Sequence, residues 1–265
     1  MKRALTTAFS LLMFCSLLLS VTGIAKAGNP AYELTEYPSA AVCTVDGEWT
    51  SPDEWTDTPP TDMTGNATGR FGYNIQDFTN FGLEWIIEIF TDDTDDAGDY
   101  WQICTDNEES NTNAPDSGDF MVEITGHITL KLYQGTGSGW NEITPDAGEI
   151  TWVNKIAASP WNSTPHWILE ITDSSKTSGA WQVATQPPTG MRIAAFDANN
   201  DTLAAWAPDS SADVPSEWGR VPTNATEPIP EGFSIAVVVL LSSIAVVIGV
   251  NFTRKRPKSE ITYKL

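Results

Sequence analysis

FGLEWIIEIF, residues 81 to 90, divides into two alternating sets: Phe81, Leu83, Trp85, Ile87 and Ile89 against Glu84, Ile86, Glu88 and Phe90. A period of two puts each set on one face of an extended chain, and β-branched and aromatic side chains favour that state. The stretch therefore reads as a half-buried strand. Its continuation, FTDDTDDAGDYWQICTDN (90 to 107), crowds Asp92, Asp93, Asp95, Asp96 and Asp99 into eight positions before Tyr100-Trp-Gln-Ile-Cys104 resumes the alternation. The acidic segment is a connection between two strands.

The same pattern recurs along the chain. HITLKLY (127 to 133) and WNEI (140 to 143) flank GTGSG, a glycine-rich hairpin turn, and WILEI (167 to 171) and MRIAAFD (191 to 197) read as further strands. No segment between them has helical length and period. Short strands separated by turn residues predict an all-β, antiparallel β-sandwich of jelly-roll-like form. Residues 28–227 have the size of one large sandwich, and no Pro/Ser-rich linker interrupts them.

The ends of the chain differ from this middle. Residues 1–27 read as a signal peptide: Lys2 and Arg3, the apolar run FSLLMFCSLLLSV, and Ala25-Lys26-Ala27 as the cleavage pattern before Gly28. Cys15 leaves with that peptide. After a short linker, 228–232, the run FSIAVVVLLSSIAVVIGVNF (233–252) is long enough to span a bilayer as a helix. Arg254, Lys255, Arg256 and Lys258 follow it, which places the tail, 253–265, in the cytoplasm and the sandwich outside. Pro230-Glu231-Gly232-Phe233, the span and the basic cluster together resemble the sorting signals of archaeal and bacterial surface proteins processed by archaeosortase-type or exosortase-type enzymes. The chain continues beyond the basic cluster through SEITYKL, where such signals end, so permanent anchoring and processing both remain as expectations.

Charge excludes one class of partner. The 265-residue chain carries a net charge of −21, and residues 28–227 hold 33 acidic against 6 basic side chains. Nucleic acid binding needs clustered Lys and Arg to displace counterions, so no nucleic acid partner is expected. Cys43 and Cys104 face an oxidising exterior, which predicts a disulfide between them. Sequons at Asn66, Asn162, Asn200 and Asn224 fit a glycosylated surface protein.

The candidate chemistry is that of binding. The two histidines, His127 and His166, read as satisfied strand residues, no Gly-x-Ser-x-Gly elbow occurs, and Ser, His and Asp show no triad order. No catalytic residue is assigned and the chain is expected not to be an enzyme. Carboxylates are the right donors for calcium, which makes Asp92, Asp93, Asp95, Asp96 and Asp99 candidate ligands. They do not form an EF-hand, because Ala97 and Cys104 stand at its fifth and twelfth positions. All 11 tryptophans lie between Trp49 and Trp218. Indole faces stack on pyranose rings, and large sandwiches also need big core side chains. Trp85, Trp167, Trp206 and Trp218 are expected in the core, whereas Trp140, Trp161 and Trp181, beside Gly, Pro or Ser in expected loops, are the candidates for sugar stacking.

VDGEWTSPDEW (45–55), LEWIIEIFTDDT (83–94), DYWQICTDN (99–107), HWILEIT (166–172), GMRIAAFDANND (190–201), and WAPD with PSEWG (206–219) follow one another in an order that resembles the family 9 carbohydrate-binding modules and the related DOMON-like sandwiches. The chain departs from that pattern after Ile171, where Thr172-Asp173-Ser174-Ser175 replaces an Ile-Pro segment. The resemblance implies a glycan or polysaccharide ligand, and calcium in some members. It also leaves two alternatives. Some DOMON-like sandwiches carry haem b for extracytoplasmic electron transfer, held by Met with His or Met with Lys, and Met63, Met121 and Met191 stand here beside His127 and His166. The third is a structural envelope or adhesion protein, with other envelope proteins as partners and no small ligand.

Overall fold

Every side chain of the 82–89 strand is buried, on both faces. Alternation had predicted one wet face, and the difference comes from loops that pack over the outer side. The computed structural model describes residues 28–34, 37–38, 43–51, 54–56, 58–77, 82–108, 110–173, 179–181 and 189–221. The expected signal peptide with Cys15, linker, membrane span and tail, together with Asn224, lie outside the described residues. No helix among the described residues is long and apolar enough to cross a membrane.

The strands are β1 (Asn29–Glu33), β2 (Tyr37–Pro38), β3 (Thr61–Gly65), β4 (Gly69–Asp77), β5 (Gly82–Ile89), β6 (Tyr100–Asp106) and β7 (Asp119–Thr125). They continue with β8 (Thr129–Gly135), β9 (Trp140–Ile143), β10 (Ile150–Ala157), β11 (His166–Asp173), β12 (Gly190–Asp197), β13 (Thr202–Trp206) and β14 (Gly219–Arg220). One 3-10 turn, Pro215–Glu217, is the helical element described. All belong to one unit, Ala25–Asn224.

Hydrogen bonding gives the order β10-β11-β5-β4-β3-β13-β12-β6-β7-β8-β9, antiparallel throughout. The expected antiparallel sandwich is found, with two short parallel pairings added: β2 on β4 and β1 on β14. Strand β3 pairs with β4 in one sheet and with β13 in the other, so it forms the corner at which the sheet folds over. Gly65 ends β3 with φ 152°, and a methyl there would overlap the Leu203 carbonyl oxygen. Glycine at that position lets the two sheets approach.

Between the sheets lies the main core. Phe71, Trp85 and Leu169 face Ile103, Val122 and Ile193, and the ring of Trp181 stacks on Trp85 at 5.2 Å. The 127–133 stretch is a strand only from Thr129. His127 instead takes φ 57° in the turn after Gly126, whose φ is 53°.

Candidate functional site

The outer face of β5 and β11 carries a row of buried acids, and Asp46, Gly47, Trp49 and Trp55 cover it. Asp46 accepts the N–H of Glu48, and Gly47 turns with φ 81°. The Asp46 and Gly47 N–H groups then donate to Glu170 Oε2 at 2.9 and 2.8 Å. Trp55 donates its indole N–H to Glu170 Oε1, and Trp49 donates to Glu88 Oε1 at 2.9 Å. Ser159 and His166 complete Glu88 at 2.7 and 2.8 Å. His166 also presents Nδ1 to the Thr164 carbonyl at 2.7 Å. A carbonyl oxygen only accepts, so Nδ1 is the donor there, and Nε2 is left facing Glu88 Oε2. Burial pushes Glu170 up to about 7, opposed by its N–H donors and reinforced by Glu54. The acids of this face serve to fasten the covering loop.

The acidic connection resolves into two populations. Asp93 and Asp95 are exposed and Asp96 is half-buried, whereas Asp92 and Asp99 point inward. Asp99 Oδ2 lies 3.0 Å from His127 Nε2 and accepts the Asp96 N–H, while Oδ1 accepts the Ala198 N–H. Asp92 Oδ1 accepts the N–H and hydroxyl of Thr94. The His127 ring stacks on Trp167 at 3.6 Å, and the Trp167 indole N–H donates to the Thr94 carbonyl. One ligand atom each from Asp92, Asp99 and His127 falls within 4.8 Å, a geometry that can hold a metal. Its mixed nitrogen and oxygen donors suit a transition metal better than calcium. Both Asp99 oxygens are engaged, Oδ2 by the Asp96 N–H and His127 Nε2 and Oδ1 by the Ala198 N–H, so the arrangement also stands as a polar knot, in which His127 Nδ1 and Asp96 Oδ2 are buried without a partner among the described residues. Burial pushes Asp92 up to about 6; the Thr94 hydrogen bonds oppose this, and Asp99 and Asp197 add to it. Neither His127 nor Asp197 was legible as part of this group from the sequence.

The tryptophans divide as well. Trp85, Trp167 and Trp206 are buried in the main core, as expected; Trp218 is buried too, but on the outer face of the second sheet with Cys104 and Met121. Trp181 is a correction: it is fully buried, its N–H directed at Thr105 Oγ1 at 3.3 Å, so no sugar reaches its face. Its Gly and Ala neighbours gave it the look of a loop residue, but that segment dips into the core. Trp161 is half-buried and edge-on to Trp49 at 5.4 Å, where it helps cover the Glu88 side. Trp140 stands on β9, at the edge of the strand order, and like Trp161 is partly exposed. It is half-buried, lies parallel to Trp218 at an interplanar angle of 3°, and donates its N–H to Asp213 Oδ1 at 3.0 Å. Tyr133 packs beside it, and the exposed Lys131–Glu142 pair, 3.0 Å apart, occupies the same face.

The expected disulfide is also a correction. Cys43 and Cys104 are both free and buried. Cys43 packs with Trp55, Ile86 and Ile168 outside the first sheet, and Cys104 with Met121 and Trp218 outside the second. The whole thickness of the sandwich separates them, far beyond the reach of an S–S bond. Burial pushes the Cys104 thiol up to about 12 against the pull of Arg192, and raises that of Cys43 with help from Glu84. Of the methionines weighed as haem ligands, Met63 and Met191 are buried in the main core, and Met191 Sδ accepts the Trp85 N–H at 3.4 Å.

No family model and no curated protein matches the chain. Among solved structures it is similar to a family 9 carbohydrate-binding module from Caldicellulosiruptor kristjanssonii in complex with glucose. Sequence identity there is 11%, the TM-score 0.46, and 74% of this chain and 100% of that one are covered. The same module in complex with cellotriose aligns at 14% identity and TM-score 0.46, covering 74% and 98%.

Proposed function

We propose that the chain is a non-catalytic, glycan-binding protein of the cell surface. The observation that carries this reading is the Trp140 face, a half-open indole backed by the parallel ring of Trp218 and fixed by Asp213. A rigid aromatic plane suits the C–H face of a pyranose, and Lys131, Glu142 and Asp213 offer hydrogen-bond partners for its hydroxyls. The surface location rests on the sequence: the expected signal peptide, the 233–252 span with its basic flank, and the sequons. Asn66, Asn162 and Asn200 stand in surface turns, Asn66 and Asn200 exposed.

A glycan-array screen of the full chain tests the reading. Binding to one glycan class, lost in Trp140→Ala while the protein still melts cooperatively, is the expected result. No binding by folded protein, or binding that survives Trp140→Ala unchanged, overturns it.

A further inference from the structure

At the junction of β6 with the loop leading into β7, several buried polar atoms lack a partner among the described residues. Asp106 and Asp119 are direct register partners, so both side chains leave the same face of the sheet. Asp106 Oδ1 accepts the N–H groups of Glu108 and Ser110 at 3.0 and 3.4 Å, and Asp119 Oδ2 accepts that of Asp116 at 2.8 Å. The second oxygen of each, Asp106 Oδ2 and Asp119 Oδ1, is buried and accepts nothing, although both residues are wholly enclosed. Asn107 is 5% exposed and uses neither Oδ1 nor Nδ2, while its main-chain N–H is tied to the Gly118 carbonyl, next to Asp119. The Ser110 hydroxyl is buried and unpaired in the same way.

Orphaned buried acceptors are costly, and four residues with such atoms in one junction call for a common partner. We infer that Asp106, Asn107, Ser110 and Asp119 form a binding site for a divalent cation of the calcium class. Carboxylate, amide and hydroxyl oxygens are hard donors, with no nitrogen or sulfur ligand among them to favour zinc. An irregular, enclosed oxygen set suits calcium rather than magnesium, which keeps several waters in a near-octahedral shell. Burial pushes Asp119 up to about 8, and Asp106, Asp116 and Glu108 add repulsion to that; a cation relieves it. The site differs from the Asp92–Asp99–His127 knot, whose Asp99 oxygens both have donors, and it does not depend on the glycan reading.

Calorimetric titration of the full chain with calcium chloride, paired with thermal unfolding followed by tryptophan fluorescence, tests the site. Saturable binding and a Tm about 5 °C higher in excess calcium than in chelator are expected, with a smaller shift in magnesium. Asp106→Asn and Asp119→Asn each abolish the shift, and Asp92→Asn retains it. No calcium binding by the wild-type chain overturns the inference. A shift that survives both junction variants, or one lost only in Asp92→Asn, overturns it equally. Because the wild-type titration stands alone, the test holds even if a variant fails to fold. Asn107→Asp adds a ligand charge and is expected to tighten calcium binding about 10-fold; unchanged affinity overturns the placement of Asn107.

Discussion

The Trp55 indole N–H donates to Glu170 Oε1 at 2.8 Å across 115 residues of chain. Together with the Asp46 and Gly47 N–H groups on Oε2, this contact fastens the covering segment over a carboxylate that is wholly buried. Trp55→Phe keeps the packing and removes the donor, leaving a buried acceptor short of one bond. A loss of about 1–3 kcal/mol in urea unfolding is expected, with an unchanged midpoint counting against the role assigned to the loop.

A methyl group at the corner should be poorly tolerated. Gly65→Ala sets a Cβ against the Leu203 carbonyl at a backbone angle that side chains rarely adopt. Destabilisation of about 1–3 kcal/mol is expected from overpacking and strain together. Thermal melts of the variant beside wild type measure it.

Acid should stabilise the fold in the range where most proteins are indifferent. Asp92, Glu170 and Asp119 have folded-state values raised to about 6, 7 and 8, above those of the unfolded chain. The folded state then holds more protons than the unfolded one between roughly pH 4 and 8, so stability falls as pH rises through that window. In chelator, Tm should climb as the pH is lowered from 8 to 5; a flat or opposite slope would show that these carboxyls are paired by something else. Calcium, if it occupies the Asp106–Asp119 junction, should flatten the upper part of the slope.

Reducing agent should leave the fold indifferent. With Cys43 and Cys104 free on opposite outer faces, dithiothreitol is expected not to move the Tm, and both thiols should react with a thiol reagent only after denaturation. A linked Cys43–Cys104 peptide in a non-reducing digest would contradict the structure.

Strand β5 was legible because its inward set, Leu83, Trp85, Ile87 and Ile89, is uniformly apolar. The outer set was not, since nothing local tells that Glu88 is covered by a loop 39 residues earlier and another 71 residues later. Strands β3 and β10 escaped for a related reason: TDMTG is short and polar, and β10 is a half-exposed edge. For the candidate sites, density along the chain misled. Five adjacent aspartates scatter between solvent and interior, while Asp106 and Asp119 meet only through strand register. Trp140 and Trp181 had equivalent neighbours in sequence, and only the packing separates a partly exposed ring from a buried one.

The corner strand also governs the order in which the chain can be finished. One side of β3 is satisfied within a few residues by β4, while the other waits for Ala204 and Ala205, about 140 positions later. A chain emerging from its N-terminus therefore carries an unpaired edge through most of its synthesis, the kind of edge that invites other strands. The last strands, β13 and β14, act as the clasp: a truncation or translation arrest before residue 202 leaves the earlier three-quarters of the molecule open and prone to aggregate.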